Sequence, residues 1–305
     1  MNIVVAGGTG FLGRPLCESF LKDGHRIIVL TRRKHEASQL FGGSVTAVEW
    51  NGRDPGDWES HLEGADAVIN LGGTPIADAR WTAHRKRLIT ASRIMSTQAL
   101  VQACSRLAVK PTVFISASGI GYYGARGDES VDEVSTFGTG FLADLCMQWE
   151  SAAHGAMSHG MRVVCLRIGM VLGRDGGALP RMTLGFRLYM GGPVMPGTQW
   201  ISWIHRDDVV GLIQWALTKD TVTGPINAVA PNPVRMTEFC RTLGAVLHRP
   251  SWLPVPELML KLALGELSSL MTTGQRVVPS AAKHGGYRFH YPDLERALRA
   301  IFRLE

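Results

Sequence analysis

The sequence predicts an α/β protein in which a doubly wound parallel sheet carries a smaller, mostly helical C-terminal lobe. Over the first two-thirds of the 305 residues, short β-rich runs alternate with helical spacing of apolar residues. This alternation is typical of parallel strands joined by crossover helices. A glycine-rich turn directly follows the first strand. From about residue 236 onward only helical patterns remain, and they predict the smaller lobe.

Six strands are predicted in the first part of the chain, at residues 3–6, 26–31, 45–50, 67–71, 112–117 and 163–168. Helical patterns cover residues 12–22, 82–107 and 140–158. Later patterns predict a strand at 200–204, a helix at 207–218 and a strand at 225–229, then helices at 236–247, 256–264 and 293–302. We therefore expect one domain over 1–170, with sheet additions from 200–230, and a C-terminal lobe over 171–305.

The composition excludes several classes of protein. With 45% hydrophobic and 19% charged residues, the chain is globular rather than disordered. The net charge of +6 is scattered, and the apolar stretch 258–271 is interrupted by Lys261 and Glu266, so we expect neither a nucleic-acid nor a membrane partner. Five cysteines without a C-x-x-C motif predict a reducing, cytoplasmic location. Ten histidines without ligand spacing predict no metal site.

The turn after the first strand carries the most specific motif. Residues 7–13 read GGTGFLG, which satisfies both G-x-G-x-x-G and G-x-x-G-x-x-G. Glycines there allow a tight turn, a close approach to a pyrophosphate, and packing of the next helix against the sheet. Because the motif joins a strand to a helix, it predicts a Rossmann-type dinucleotide-binding domain, with a structural glycine turn as the alternative. The expected cofactor contacts are Gly7, Thr9, Gly10, Phe11, Leu12 and Gly13.

The end of the second predicted strand indicates which dinucleotide binds. An NAD site usually places Asp or Glu there to hold the ribose 2′-hydroxyl. Here Thr31, Arg32 and Arg33 follow one another, and the first acid is Glu36. Since arginine pairs with a 2′-phosphate and a carboxylate repels it, we predict NADP as the cofactor, held by Thr31, Arg32 and Arg33. An exposed basic turn without a ligand is the alternative.

Further motifs extend over nearly the whole chain. They include AVINLGG at 67–73, GYYG at 121–124, SWIH at 202–205, APNP at 230–233 and GQRV at 274–277. With these, the sequence resembles the short-chain dehydrogenase/reductases in their extended, epimerase-like form. Within that group it is similar to the atypical NAD-dependent epimerase/dehydratase-like proteins that end in a small C-terminal domain of unassigned function. The resemblance implies NADP(H) binding, with Leu71, Gly72 and Val171 lining the cofactor, and favours a homodimer.

One departure from the family pattern bears on the chemistry. Extended members of the superfamily carry a catalytic Tyr-x-x-x-Lys pair, in which the tyrosine moves a proton beside hydride transfer. On the matching helix of this chain, Phe141 stands in the place of the tyrosine and Leu145 in the place of the lysine. Phenylalanine has no proton to give and leucine cannot hold a ribose, so the usual relay is missing.

Three other residues are candidates to replace it. Ser118 ends the fifth strand, Tyr123 follows soon after, and Arg93 lies on the helix after the fourth strand. We predict Ser118 and Tyr123 as catalytic residues and Arg93 as a cofactor contact; strand capping, packing and ion pairing are their structural alternatives. The functional hypothesis is an NADP(H)-dependent oxidoreductase or epimerase-like protein acting on an unidentified small molecule. The alternative is a catalytically inactive NADP(H)-binding protein with a redox-sensing or regulatory role.

Overall fold

The computed structural model describes residues 1–303. Its strands are β1 (Asn2–Ala6), β2 (Arg26–Thr31), β3 (Thr46–Glu49), β4 (Ala67–Asn70), β5 (Val113–Gly119), β6 (Ser130–Val131), β7 (Arg162–Ile168), β8 (Met170–Leu172), β9 (Trp200–Ile201), β10 (Trp203–His205), β11 (Gly224–Ala228), β12 (Val234–Arg235) and β13 (Arg276–Val277). Its α-helices are α1 (Gly13–Lys22), α2 (Lys34–Leu40), α3 (Ala83–Arg106), α4 (Phe141–His154), α5 (Leu179–Arg187), α6 (Arg206–Thr218), α7 (Met236–Leu247), α8 (Glu257–Leu264), α9 (Ser269–Thr272), α10 (Ser280–His284) and α11 (Leu294–Phe302). Short 3-10 helices cover Asp57–Leu62, Ile120–Tyr123, Gly155–His159 and Gly265–Ser268.

Seven parallel strands form the central sheet, in the order β11-β7-β5-β4-β1-β2-β3. The chain builds outward from β1 in one direction through β2 and β3, and in the other through β4, β5, β7 and β11. The order therefore reverses between β1 and β4, and the crevice at the carboxyl ends of these two strands is where open α/β sheets bind ligands. The predicted doubly wound sheet is confirmed.

Apolar side chains cover both faces of the sheet. On one face, Leu16 and Phe20 of α1 and Leu212 of α6 pack against strand residues such as Ile3. On the other face, the buried residues come from α3, α4 and the alternate strand positions, as the two-residue period of a strand requires. A third buried cluster joins α5, α7 and α11 in the helical C-terminal region.

Of the two later strands, one is confirmed and one differs from the prediction. The predicted strand at 225–229 lies at 224–228 and is the seventh strand of the central sheet. The predicted strand at 200–204 is instead two short strands outside that sheet, paired with β12 and β8. The break between the two short strands falls at Ser202. Its hydroxyl donates to the carbonyl of Gln275 and accepts from the amide of Val277, so Ser202 bonds to the C-terminal segment and not to a neighbouring strand of the central sheet.

A buried ion pair fixes α4 to the sheet. Glu150 of α4 and Arg167 of β7 are 5% and 3% exposed, and they make a two-pronged contact with N–O distances of 2.9 and 2.8 Å. Ser118 of β5 donates to the same carboxylate at 2.7 Å. Burial alone would lower the pKa of Arg167, but the hydrogen bonds and charge of Glu150 raise it above its ordinary value, so the guanidinium stays charged. The pair therefore binds one helix to two strands.

The same arginine connects the sheet to the C-terminal region. Its Nη1 donates to the hydroxyl of Tyr123, which donates in turn to Oδ1 of Asn227 on β11. Asn227 then donates to the carbonyl of Val278, and Glu133 accepts from the amides of Asn227 and Ala281. A continuous hydrogen-bonded path thus runs from α4 through the sheet to the segment before α10.

We predict that Glu150→Gln lowers the free energy of unfolding by about 3–5 kcal/mol, because it leaves the Arg167 charge buried without a counter-ion. Urea denaturation followed by tryptophan fluorescence measures this. The matched control is Arg106→Ala, which removes the exposed Arg106–Glu59 pair and should cost less than about 1 kcal/mol. A Glu150→Gln protein as stable as the control would show that the pair does not hold α4 in place.

Candidate functional site

The glycine turn after β1 leaves no room for a side chain at Gly7 or at Gly13. Gly7 has φ +80°, and a Cβ on it would stand 2.9 Å from the backbone of Leu71 in the loop after β4. A Cβ on Gly13 would stand 2.2 Å from the carbonyl oxygen of Gly7. The first turn of α1 therefore packs directly on the strand end, as the sequence motif predicted for backbone contact with a pyrophosphate.

Backbone amides at this turn are free to bind an anion. The amide of Gly10 donates to Gly7 and that of Arg14 to Gly10. By contrast, the amides of Phe11 and Leu12 meet no acceptor within residues 1–303. The first turn of α1 holds no acidic residue. Free N–H groups at the positive end of a helix fit the phosphates of a dinucleotide.

A cavity of about 430 Å³ lies between this turn and the end of β2. It is lined by Thr9, Thr31, Arg33, Glu36, Gln39 and Leu40. Three residues that the sequence predicted for the cofactor therefore share one cavity, and they lie where the adenosine ribose of a dinucleotide is bound in this fold. Arg33 pairs with Glu36 at 2.9 Å across it, with both side chains exposed. Arg32 is exposed and is not among the lining residues.

The loop after β4 is held by a buried amide that the sequence analysis missed. Asn70 is fully buried; its Oδ1 accepts from the amide of Gly72 and its Nδ2 donates to the hydroxyl of Thr97. The indole of Trp149 donates to the same hydroxyl at 2.9 Å. These bonds fix Leu71 and Gly72 against Gly7. The sequence signal that could have indicated this role is a polar residue, Asn70, at the last position of an otherwise apolar buried strand.

Arg93 lies on α3 beneath this loop and is 7% exposed. Its Nη1 donates to the carbonyls of Thr74 and Ile89, and its Cζ is 5.2 Å from the centroid of the Trp149 ring. Its Nε has no hydrogen-bond partner in the described part of the chain. Burial lowers the pKa of Arg93 to about 10, so the side chain stays cationic at neutral pH. A buried cation with an unused donor is suited to hold an oxygen ligand.

Phe141 and Leu145 lie in an apolar cluster at the N-terminal end of α4. Phe141 meets Trp81 edge-on, with ring centroids 5.1 Å apart. The cluster also includes Ile76, Ile89, Leu142, Leu145, Leu264 and Leu267. The positions that carry the proton relay in the superfamily therefore pack against the C-terminal segment and contain no titratable group.

Ser118 and Tyr123 are placed differently from the expectation that they hold a substrate. Tyr123 is fully buried, its hydroxyl is used by Arg167 and Asn227, and burial raises its pKa to about 12. The hydroxyl of Ser118 is buried against Glu150. Both hydroxyls take part in hydrogen bonds that hold the sheet and α4 together, so neither hydroxyl is free to bind a substrate.

The loop after β8 closes over the glycine turn. The ring of Phe11 lies so close to Gly173 and Gly176 that a Cβ on either would stand within 2.7 Å of it. Arg206 covers the same ring at 5.3 Å and pairs with Asp175. Val171, which the sequence predicted beside the nicotinamide, lies in β8 just before this loop. Its carbonyl oxygen packs against Gly177.

Residues 1–303 contain no group of three or more His, Cys, Asp or Glu side chains arranged to hold a metal ion. In the same range, no helix has the length and apolar character needed to cross a membrane.

Two family models match the chain. The model of the NAD dependent epimerase/dehydratase family matches residues 3–228. A second, described as a domain of unknown function (DUF1731), matches residues 255–301. Together they cover the central sheet and most of the helical C-terminal region.

Named relatives match along nearly the whole length. The chain is 45% identical to the chloroplastic epimerase family protein SDR39U1 homolog of Arabidopsis thaliana, over 99% of this chain and 86% of that protein. It is 40% identical to epimerase family protein YfhF of Bacillus subtilis, over 99% and 98%. The crystal structure of human epimerase family protein SDR39U1 with NADPH superposes with a TM-score of 0.88, at 31% identity and 99% coverage of both chains.

A more distant structure shows the fold alone. UDP-glucuronic acid 4-epimerase from Bacillus cereus, solved with UDP-glucuronic acid and NAD, has a TM-score of 0.80 at 18% identity, over 100% of this chain and 98% of that one. The resemblance that the sequence motifs indicated is confirmed by these matches. The chain belongs to the NAD dependent epimerase/dehydratase family and carries the DUF1731 domain at its C-terminal end.

Proposed function

We propose that this protein is an NADP(H)-dependent oxidoreductase that acts on a small molecule without the usual Tyr-x-x-x-Lys pair. The observation that carries the proposal is the cavity shared by Thr9, Thr31 and Arg33, next to the free amides of Phe11 and Leu12. A guanidinium in that place favours a 2′-phosphate over a bare ribose hydroxyl. The human relative that was solved with NADPH supports the same cofactor.

The other cofactor contacts follow the crevice along the strand ends. Gly7, Gly10 and Gly13 let the pyrophosphate approach the backbone, and Leu71 with Gly72 borders the adenine ribose. We assign Arg93 to the nicotinamide end, with Val171 beside the ring. Ile89, one turn before Arg93, packs with Leu145, and Arg93 itself faces Trp149. In our proposal α3 thus supplies the cation that α4 lacks at Leu145.

The proton chemistry limits the reaction class. When bound, a reduced nicotinamide supplies a hydride. The two relay positions hold Phe141 and Leu145, and the ammonium group of Lys86, 5.2 Å from the Phe141 ring, is paired with Glu266. The Tyr123 phenol is buried with its pKa raised to about 12. We therefore propose hydride acceptors whose product takes its proton from water, such as quinones, rather than epimerisation of an alcohol, which needs a base. Ser118 and Tyr123 act in this proposal as positioning residues through Arg167 and Glu150.

One observation favours a second candidate, an inactive NADP(H)-binding protein with a regulatory role. Phe141 packs with Leu264 and Leu267, and Lys86 of α3 pairs with Glu266. In this candidate function, these contacts connect the nicotinamide end of the crevice to the C-terminal domain, so cofactor binding changes the position of that domain relative to the sheet.

Two sequence predictions stay proposals beside this function. The domain division at residue 170 is one. The homodimer is the other, and it is supported by exposed apolar side chains on the two helices that would pair: Leu88 and Met95 of α3 and Met147 of α4.

We predict that Arg33→Ala weakens NADPH binding by about tenfold or more and leaves NADH binding unchanged, because it removes a charge-assisted contact to the 2′-phosphate. Glu36→Gln should tighten NADPH binding, since Arg33 is then released from its ion pair. Fluorescence titration of the reduced nicotinamide measures both.

Two controls make this experiment specific. Arg32→Ala removes the same charge outside the cavity and should have a smaller effect. Arg93→Leu should weaken NADPH and NADH alike, since it lies at the other end of the crevice. An Arg33→Ala protein that binds NADPH as the wild type does would remove the 2′-phosphate assignment.

We also predict that the protein oxidises NADPH in the presence of a soluble quinone but not of an unactivated ketone. Hydride and a proton from water convert the quinone to the hydroquinone, whereas a ketone needs an acid that the site lacks. The absorbance of reduced nicotinamide follows the reaction, and Arg33→Ala at limiting NADPH is the control that assigns turnover to this site. Tight NADPH binding with no oxidation by any acceptor would contradict the oxidoreductase and favour the regulatory candidate.

A further inference from the structure

One surface of the C-terminal half exposes large apolar side chains that nothing in the described chain covers. Helix α8 has no buried residue, and Leu258 and Leu262, one turn apart, are 68% and 71% exposed. Leu184 of α5 and Leu188, which directly follows the last residue of that helix, are likewise one turn apart and exposed. Nine side chains make up this apolar face: Leu184, Leu188, Tyr189, Met190, Trp252, Leu253, Leu258, Met259 and Leu262.

The two segments that carry the face are joined directly. The indole of Trp252 donates to the carbonyl of Tyr189 at 3.0 Å, and bridges join Gly191 to Ser251 and Val194 to Val255. Helix α5 ends just before this junction and α8 begins just after it. These contacts bring together two segments that carry nine of the nineteen exposed large hydrophobics of residues 1–303.

The opposite ends of both helices are anchored to one loop. Arg181 of α5 donates to the carbonyl of Ala77 and pairs with Asp78, and Arg80 donates to the carbonyls of Leu262 and Ala263. Each helix is therefore held at both ends, and its apolar side chains stay on the surface. Monomeric proteins rarely keep so large an apolar patch in water without a binding role.

The charge around the face indicates what covers it. Residues 179–190 and 248–264 contain four basic residues. Arg181 pairs with Asp78 and Lys261 pairs with Glu257, so Arg187 and Arg249 are the two that have no acidic partner in the described residues. Arg249 lies 4.6 Å from the Tyr189 ring, and Arg187 is exposed with no ion pair in the described residues. Leucines flanked by Trp, Tyr and arginine are the composition of helices that lie in the interface of an anionic bilayer.

We propose that this apolar face docks on an anionic membrane surface, with α5 and α8 lying in the plane of the headgroups. Leucine and methionine side chains enter the acyl boundary, Trp252 and Tyr189 lie at the headgroup level, and Arg187 and Arg249 meet the lipid charges. A second copy fits less well, since a two-fold contact would bring the same basic residues together. The proposal is a surface contact without a membrane span, and it departs from the expectation that no membrane partner exists.

Vesicle co-sedimentation of the full chain tests the proposal. We expect binding to vesicles of phosphatidylcholine with phosphatidylglycerol that weakens with added salt, and little binding to phosphatidylcholine alone. Leu258→Glu with Leu262→Glu should reduce binding at least about tenfold, through lost apolar burial and added negative charge. Arg187→Ala should reduce it about fivefold, the loss of one basic contact.

The matched control is Val109→Glu with Met157→Glu, which adds the same charge at two exposed apolar side chains outside the apolar face and should leave binding unchanged. Circular dichroism melting curves and NADPH titration verify that each variant is folded. Two results would overturn the proposal. One is that the wild-type protein does not co-sediment with anionic vesicles. The other is a wild-type dimer in size-exclusion chromatography that Leu258→Glu with Leu262→Glu converts to a monomer, which would make the face a self-interface.

Discussion

The ion pair between Glu150 and Arg167 is the interaction on which the rest of the structure depends. Two opposite charges buried at 5% and 3% exposure are tolerable only when each satisfies the other, so their geometry is strongly constrained. That constraint fixes α4 against β5 and β7, and α4 carries Phe141 and Leu145. Through the Tyr123 and Asn227 hydrogen bonds, the same arginine also sets the position of the C-terminal region relative to the sheet.

The crevice combines backbone features that are common to dinucleotide-binding folds with side chains that are particular to this chain. Free amides at the start of α1 and close backbone contacts at Gly7 and Gly13 suit any dinucleotide. In the proposed site Arg33 and Arg93 supply charge at the two ends; Arg33 is exposed beside Glu36, and Arg93 is buried beneath the loop after β4. Between them, the place of the superfamily proton relay is filled with apolar contacts. Our proposal therefore keeps the cofactor-binding residues and assigns proton transfer to no side chain, which is why we propose hydride transfer or a regulatory role.

Much of this was accessible from the sequence because it depends on local patterns. The six strands and the glycine turn follow from periodicity and backbone sterics. The roles of Phe141 and Leu145 follow from comparison with the Tyr-x-x-x-Lys motif of the superfamily. The network around Arg167 was not accessible, since its partners come from four separate elements and hydroxyls such as those of Ser118 and Tyr123 carry no signal of their direction. The short helix α2 was missed because only Ala37 of it is buried, so it shows little apolar periodicity. Similarly, sequence spacing could not distinguish Arg33, which lines the cavity, from its neighbour Arg32.

We propose that the crevice between β1 and β4 binds NADP(H) with a contact to the 2′-phosphate, and a comparison of NADPH with NADH binding tests this assignment. Titration of the wild-type protein with each reduced cofactor, followed by nicotinamide fluorescence, gives the two dissociation constants under one set of conditions. We expect NADPH to bind at least about tenfold more tightly than NADH, which is the discrimination expected of a charge-assisted contact. Equal affinities would contradict the cofactor assignment, and no binding of either would reduce the glycine turn to a structural element.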